Sequence, residues 1–167
     1  MERSVYKGKL LNLSQKKIKL PNGYIACLEI VKHPGASLII PFLDKNRIIF
    51  LRQYRPVIGS YIYELPAGTL DKGERALDCC RREIVEETGY SAAKFKRLGF
   101  IYPVPGYSTE KITIYKAEGL RKTAGNTQQD EVIRSLVFTK SRAVRLFKSG
   151  RIVDAKTIAA LAMCGWL

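Results

Sequence analysis

Three glutamates close together in the middle of the chain are the residues best suited to chemistry. Glu83, Glu86 and Glu87 lie within little more than one turn of a predicted helix, and at about 100° per residue they share one face within an arc of roughly 100°. Their carboxylates are hard oxygen ligands that suit Mg²⁺ or Mn²⁺, and Mg²⁺ is usually held by a few carboxylates together with substrate phosphates. A solvated acidic face is the alternative interpretation, since clusters of like charge are common on protein surfaces.

The residues around these glutamates predict a loop, a helix and a cap. An apolar stripe beside the glutamates indicates that this flank of the helix packs on a core, and the helix is predicted from Ala76 to Thr88. The glycines Gly68 and Gly73 bound a tight loop that enters the helix, and Gly89 stands where a C-terminal cap belongs. The apolar stripe consists of Leu77, Cys80 and Ile84.

The stretch Gly68–Tyr90 resembles the Nudix hydrolase signature. That signature consists of Gly, five residues, Glu, seven residues, Arg-Glu, an aliphatic residue, any residue, Glu-Glu, any residue, Gly and an aliphatic residue. Only Tyr90 departs from the pattern, because it is aromatic where an aliphatic residue is expected. The matching residues are Gly68, Glu74, Arg82, Glu83, Ile84, Glu86, Glu87 and Gly89. A match at so many fixed positions is far more specific than a short glycine motif.

The resemblance implies both a fold and a site. It implies an α/β/α sandwich with a mixed sheet, and hydrolysis of a nucleoside diphosphate linked to another group. It implies a metal site for Mg²⁺ or Mn²⁺, in which Arg82 orients the glutamates and Glu74 ties the loop to the helix. The implied metal ligands are the carbonyl of Ala67 and the side chains of Glu83, Glu86 and Glu87.

Segments outside the signature resemble the ADP-ribose pyrophosphatase branch of that family. They are H-P-G-A near Gly35, R-Q-Y-R at 52–55, E-L-P-A-G at 64–68 and P-G-Y-S-T-E at 105–110. The branch implies that ADP-ribose is cleaved to AMP and ribose 5-phosphate, that Arg55 and Glu110 contact the substrate, and that Glu131 is the general base. For Glu131, a solvated loop acid is an equally open interpretation.

Other functions stay open at this point. Related enzymes that hydrolyse GDP-mannose or other nucleotide sugars share much of the pattern. A hydrolase of oxidised nucleotides or capped RNA and a non-catalytic binding module of the same fold are further alternatives. The complete set of Arg82, Glu83, Glu86 and Glu87 argues against the binding module.

Composition predicts one globular domain of 167 residues, of which 46% are hydrophobic and 26% charged. No apolar run is long enough to span a bilayer and no secretory signal is visible, so we expect a cytoplasmic protein. The net charge of +14 comes from lysines and arginines spread along the chain. We therefore expect nucleic-acid binding that is weak and non-specific at most.

The N-terminal region predicts a β-hairpin outside the main domain. Residues Val5–Leu13 and Gly23–Lys32 are the two predicted strands, and P-N-G at 21–23 supplies the turn. A lone hairpin is marginal in water and must pack on something. The resemblance implies that residues 1–34 pair with a second copy in a homodimer, where Glu29 reaches the other subunit's substrate, and that residues 35–167 form the hydrolase domain. A hairpin folded back on its own subunit is the alternative.

Strands and helices alternate along the rest of the chain, which indicates the α/β class. Asp154 is a candidate N-cap. The cysteines lack metal-site spacing and are interpreted as reduced thiols, and His33 as a loop residue. The predicted strands are Ser37–Leu43, Arg47–Arg52, a strand within Tyr61–Gly68 that ends at Pro66, Phe95–Tyr102, Lys111–Glu118 and Val132–Thr139, and the further helices are Ser141–Ser149 and Ala155–Trp166.

Overall fold

The computed structural model describes residues 2–8, 11–123 and 132–167. The strands are β1 (Glu2–Lys7), β2 (Asn12–Lys19), β3 (Ile25–Lys32), β4 (Ala36–Asp44), β5 (Arg47–Arg55), β6 (Ser60–Glu64), β7 (Ala67–Thr69), β8 (Tyr90–Ile101), β9 (Ile112–Lys122) and β10 (Ile133–Thr139). The helices are α1 (Ala76–Thr88), α2 (Lys140–Lys148) and α3 (Ala155–Met163).

The main sheet is mixed, as predicted. Its strands follow the order β10-β5-β4-β9-β8, with β6 beside β5 and β7 beside β4. Strands β4 and β9 run parallel, and the other pairs are antiparallel. The central strand β4 is apolar and almost entirely buried, because helices cover both of its faces.

The two faces of the sheet carry different helices. Side chains alternate along β4, so that Ile39 points towards α1 while Leu38 and Ile40 point to the opposite face. On the α1 face, Ile39 packs in a small cluster with Ile84 of the helix. On the other face, the larger core includes side chains of α2 and α3, among them Leu161. The result is the α/β/α sandwich that the resemblance implies.

Most element boundaries agree with the sequence. Helix α1 spans the predicted residues and ends at Gly89, whose φ of 71° is the left-handed conformation expected of a glycine cap. Asp154 caps α3 by accepting a hydrogen bond from the N–H of Thr157 at 3.0 Å. The strand that was predicted to begin at Tyr61 and end at Pro66 is β6, and the short strand β7, which follows Pro66 and pairs with β4, was not predicted.

The N-terminal region forms a three-stranded antiparallel sheet, in which β2 and β3 are a hairpin but which has one strand more than predicted. The predicted turn between Leu20 and Tyr24 is present, but the predicted first strand is divided between β1 and β2. The chain turns where the N–H of Gly8 donates to the carbonyl of Leu11 at 2.8 Å. Strand β2 is mostly polar and gave no strand signal; it is a strand because β1 and β3 pair with both of its edges.

The helices are short, with 13, 9 and 9 residues. A helix needs about 20 apolar residues to cross a bilayer. In the described part of the chain, no helix has the length and the apolar composition that a membrane span requires.

Candidate active site

The guanidinium of Arg82 lies at the centre of the acidic cluster. Its Nη1 donates to Glu83 Oε1 at 2.6 Å and to Glu86 Oε2 at 3.2 Å. Its Nε and Nη2 donate to the two carboxylate oxygens of Glu74 at 3.1 and 3.0 Å, and Nη2 also reaches the carbonyl of Thr69 at 3.3 Å. One side chain therefore fixes two of the three glutamates and connects them to the preceding loop.

Glu74 joins the loop to the helix, as predicted. Besides the two bonds from Arg82, its carboxylate accepts the N–H of Asp71 at 2.9 Å. The hydrogen bond from Arg82 holds the pKa of Glu74 below its usual range, and Glu74 in turn raises the pKa of Arg82. Both groups are therefore charged at neutral pH, and their pairing stabilises the loop.

Glu83 is packed against the backbone of Gly68. A Cβ atom added to Gly68 would lie 1.6 Å from Glu83 Oε1 and 2.0 Å from its Cδ, so only glycine leaves room for this carboxylate. Glu83 is 8% exposed and Glu87 5% exposed. The interpretation of the cluster as a solvated acidic face is therefore wrong for these two residues.

Glu87 attaches the helix to the strand that carries Ala67. Its Oε2 accepts the N–H of Ala67 at 2.9 Å, and its backbone carbonyl accepts the hydroxyl of Ser135 on β10 at 3.1 Å. At the start of the helix, the hydroxyl of Ser37 on β4 donates to the carbonyl of Ala76 at 2.7 Å. These bonds hold α1 at both ends relative to the sheet, and so fix where its carboxylates lie.

A cysteine beside the cluster takes no part in ionic chemistry at neutral pH. Cys79 is fully buried, and its Sγ lies 3.5 Å from the carbonyl of Gly68 and 3.6 Å from Arg82 Nη2. Burial raises the pKa of its thiol to about 12. Since the thiolate is the form that binds metal or attacks a substrate, Cys79 is a packing residue here.

The carboxylates around Arg82 are of the chemical type that binds a divalent metal ion. Nη1 of Arg82 contacts Glu83 and Glu86 together, so a single positive centre can reach both carboxylates. Oxygen donors of this type are what Mg²⁺ and Mn²⁺ prefer. Within the described ranges, no three His, Cys, Asp or Glu side chains converge at the spacing of a finished metal site.

A third buried carboxylate, Glu64, lies at the end of β6, and no role was predicted for it from the sequence. Glu64 is 2% exposed; Arg55 donates to its Oε2 through Nε at 2.9 Å, and Arg55 Nη2 lies 2.8 Å from the same oxygen in an ion pair. Lys156 of α3 donates to Glu64 Oε1 at 2.6 Å and to Asp154 at 2.9 Å. Two cations on one buried carboxylate compensate the cost of removing it from water. Glu64 in turn holds the Arg55 guanidinium at the end of β5.

Helix α3 also supports the loop between β6 and β7. The hydroxyl of Thr157, which is fully buried, accepts the N–H of Leu65 at 2.9 Å. The segments involved, E-L-P-A-G and D-A-K-T-I, are visible in the sequence. Nothing in either segment alone indicates that Lys156 and Thr157 meet Glu64 and Leu65, because about 90 residues separate them.

Two further predicted site residues, Glu110 and Glu29, make no hydrogen bond or ion pair with Arg82. Glu110 follows a loop that is bonded to the end of β3, and its carboxylate lies 3.9 Å from His33 Nε2. The other nitrogen of His33 accepts the N–H of Gly35, which confirms the loop role of this histidine. Glu29 is exposed on β3 and forms no ion pair with any described residue. Glu131 lies outside the described residues.

Comparisons with known proteins agree with this geometry. A family model described as the NUDIX domain matches residues 31–161. The chain is 35% identical to an ADP-ribose pyrophosphatase of Bacillus subtilis, covering 96% of this chain and 88% of that protein. It is 36% identical to a methanol dehydrogenase activator of Bacillus methanolicus, covering 94% and 86%. It is 31% identical to a GDP-mannose pyrophosphatase of Escherichia coli, covering 80% and 78%.

A solved structure shares the whole fold. The crystal structure of an ADP compounds hydrolase superposes with a TM-score of 0.86 at 22% identity, covering 99% of this chain and 90% of that one. The signature glutamates, the Arg82 and Gly68 contacts that arrange them, and the family match over most of the chain lead to one conclusion. The chain belongs to the Nudix family and is a pyrophosphohydrolase.

Proposed function

We propose that this enzyme hydrolyses the diphosphate of ADP-ribose to give AMP and ribose 5-phosphate, with Mg²⁺ or Mn²⁺ as cofactor. The observation that carries the proposal is the arrangement of Glu83 and Glu86 on one guanidinium, next to the backbone of Gly68. The relative from Bacillus subtilis that is named ADP-ribose pyrophosphatase supports the choice of substrate.

The proposed reaction adds water across the phosphorus–oxygen–phosphorus bridge. A bound divalent metal supplies charge neutralisation at the diphosphate and a lower pKa for a bound water. Its proposed ligands are the carbonyl of Ala67 and the side chains of Glu83, Glu86 and Glu87. Arg82 positions Glu83 and Glu86 through its hydrogen bonds before substrate arrives. Such positioning lowers the barrier because no reorganisation is needed during the reaction.

Arg55 is proposed to bind the substrate next to the diphosphate. It is a guanidinium with 40% of its side chain exposed, and Glu64 holds it from the buried side. A planar fork of donors held in this way suits recognition of phosphate oxygens. We also propose Glu110 and Glu29 as substrate contacts and Glu131 as the general base.

The cytoplasmic location predicted from the sequence stays a prediction.

We further propose that the enzyme is a homodimer built through its N-terminal sheet. All six residues of β1 are exposed in the single chain, and large apolar side chains on the sheet are 38–66% exposed. These side chains are Val5, Tyr6, Tyr24, Ile25 and Leu28. Apolar surface of this kind indicates a partner, and a second copy supplies a matching sheet. The division of the chain at residue 34 rests on the same proposal.

Light scattering tests the dimer with the full-length chain. Replacing Ile25 and Leu28 with lysine places one charge on each face of the N-terminal sheet, since these residues point to opposite faces, and leaves the backbone pairing of β3 in place. We expect twice the single-chain mass of 18.8 kDa for the wild type and a monomer for the variant. A wild-type enzyme that is monomeric and fully active would contradict the proposal.

GDP-mannose is the second candidate substrate, because a relative at 31% identity is named GDP-mannose pyrophosphatase. A substrate comparison decides between them. The panel contains ADP-ribose, GDP-mannose, other nucleotide sugars, dinucleoside polyphosphates, oxidised nucleoside triphosphates and capped RNA. We expect ADP-ribose to have the highest kcat/KM. Faster turnover of an oxidised nucleotide or capped RNA than of any nucleotide sugar would overturn the proposal.

A further inference from the structure

A lysine-lined cavity lies on the face of the main sheet that α1 does not occupy. It has a volume of about 620 Å³ and opens between the β4–β5 turn, strands β8 and β9, and the ends of α2 and α3. Phe42 and Trp166, whose rings meet edge to face at 5.7 Å, belong to the core of the α2 and α3 face and line this cavity. The sheet therefore separates the cavity from the glutamates of α1.

The charged lining is strongly basic. Glu118 is the one acidic residue among the cavity residues of the described chain, and it is paired with one of the four lysines. The lysines are Lys45, Lys96, Lys116 and Lys140. The four lysines carry four positive charges, and Glu118 supplies one negative charge among these cavity residues.

Two of the lysines directly oppose each other. Lys96 of β8 and Lys116 of β9 are partners in the antiparallel ladder, so their side chains leave the same face side by side. Like charges in directly opposite positions destabilise a sheet. Lys116 is compensated by Glu118 at 2.7 Å, whereas Lys96 forms no ion pair with any described residue.

The other two lysines of the cavity, Lys140 and Lys45, lie at the start of α2 and in the β4–β5 turn. Lys140 Nζ donates to the carbonyl of Gly165 at 2.6 Å, which holds the end of the chain beside the cavity. Lys45 lies in the exposed turn between β4 and β5, and within the described ranges it has no acidic partner. Lys140 also has no acidic partner within the described chain, but the ammonium groups of Lys45 and Lys96 bond to no described residue at all and so have the most capacity for an external anion.

We propose that this cavity is a second binding site, for an oligophosphate group. Lysines bind phosphates as point charges, and several converging lysines favour an anion with more than one charge. The volume lies within the range of small-molecule sites. A free oligophosphate and the phosphate chain of a nucleotide offer the same chemistry to these lysines. The proposal does not depend on which nucleotide sugar is hydrolysed at the α1 face.

Trp166 is the only tryptophan of the sequence and lines the cavity, so its fluorescence reports on this cavity. The test titrates full-length protein with sodium tripolyphosphate, and in a second arm with ATP, in the presence of EDTA. Tryptophan fluorescence is the readout, so binding is followed at this cavity without measuring hydrolysis.

The variant Lys45→Gln/Lys96→Gln removes the two cavity lysines whose ammonium groups bond to no described residue. Its matched control is Lys17→Gln/Lys19→Gln, which removes the same amount of charge from exposed positions of β2. A melting curve of each protein, with and without tripolyphosphate, shows that the variants are folded and gives a second measure of binding.

We expect a saturable fluorescence change with both tripolyphosphate and ATP, weakened about tenfold or more by Lys45→Gln/Lys96→Gln and unchanged in the control. Tripolyphosphate should raise the Tm of the wild type but not that of the cavity variant. Three results would overturn the proposal: no saturable change, equal affinity in the cavity variant and the wild type, or binding of ATP without binding of tripolyphosphate.

Discussion

Replacing Gly68 with alanine tests the position of one carboxylate separately from the stability of the fold. Gly68 lies in β7 with a φ outside the left-handed region, so alanine fits the backbone without strain. The added Cβ would nevertheless lie 1.6 Å from Glu83 Oε1. The clash involves the far end of a flexible side chain, so the carboxylate moves and the strand stays.

The size of that movement follows from the distances. Ordinary contact with a Cβ begins at about 3.4 Å, so the Glu83 carboxylate must shift by about 1.8 Å. A displacement of about 1 Å in a catalytic group can cost about 100-fold in rate. We therefore expect kcat to fall about 100-fold or more, which corresponds to about 2.7 kcal/mol in the activation free energy.

The loss of stability should be partly offset, so that the variant stays folded. Alanine in place of glycine stabilises by about 0.4–1 kcal/mol through the unfolded chain, while the 2.6 Å bond between Arg82 and Glu83 is lost. That charged bond contributes about 1.5–3 kcal/mol when intact. The two effects oppose each other and leave a net loss of about 0.5–2.6 kcal/mol, so we expect the Tm to fall by about 1–10 °C.

The assay compares steady-state hydrolysis and thermal melting of Gly68→Ala with those of Gly99→Ala. In the control, the new Cβ meets only the terminal methyl of Met163, at 2.5 Å, on the face of the sheet away from α1. It should retain its activity. In a Glu83→Gln background, Gly68→Ala should cause little further loss, because both changes act on one group.

Wild-type kcat in Gly68→Ala would refute the reasoning. So would an equal loss of activity in Gly99→Ala, which would point to general packing stress. If Gly68→Ala and Glu83→Gln multiplied their effects fully, the glycine would act through some group other than the Glu83 carboxylate.

Two further predictions concern other contacts of Arg82. Glu86→Gln keeps the side-chain shape and removes a charge, so kcat with Mg²⁺ should fall about 100-fold; near-wild-type turnover would remove Glu86 from the proposed metal site. Glu74→Gln tests the ion pair with Arg82 through urea unfolding at several pH values. Because the folded-state pKa of Glu74 is lowered, the wild type should be more stable than the variant by about 1–2 kcal/mol at neutral pH. That advantage should disappear as the pH falls from 4.5 through the lowered pKa. A stability difference that stays constant down to acidic pH would contradict the pairing.

The sequence was most informative where residue spacing and local chemistry coincide. Helix α1, its glycine cap and the role of Glu74 were predicted because each depends on residues within one short segment. The mixed sheet and the sandwich came from the resemblance, since strand order depends on contacts between distant segments.

Features that depend on tertiary pairing were not predictable. Strand β2 has a polar sequence and exists because two neighbours pair with it. The support of Arg55 by Glu64 and Lys156 joins the ends of β5 and β6 to α3, and no local pattern indicates such a contact. The close approach of Glu83 to Gly68 explains physically why the signature begins with glycine, which spacing alone did not.

Product identification after incubation of ADP-ribose with Mg²⁺ and the full-length enzyme tests the central claim most directly. Attack on the diphosphate predicts AMP and ribose 5-phosphate in equal amounts, with neither product formed when EDTA replaces the metal. Formation of ADP and free ribose would place the cleavage outside the diphosphate. That result, or undiminished product in EDTA, would contradict the proposed function of the glutamates on α1.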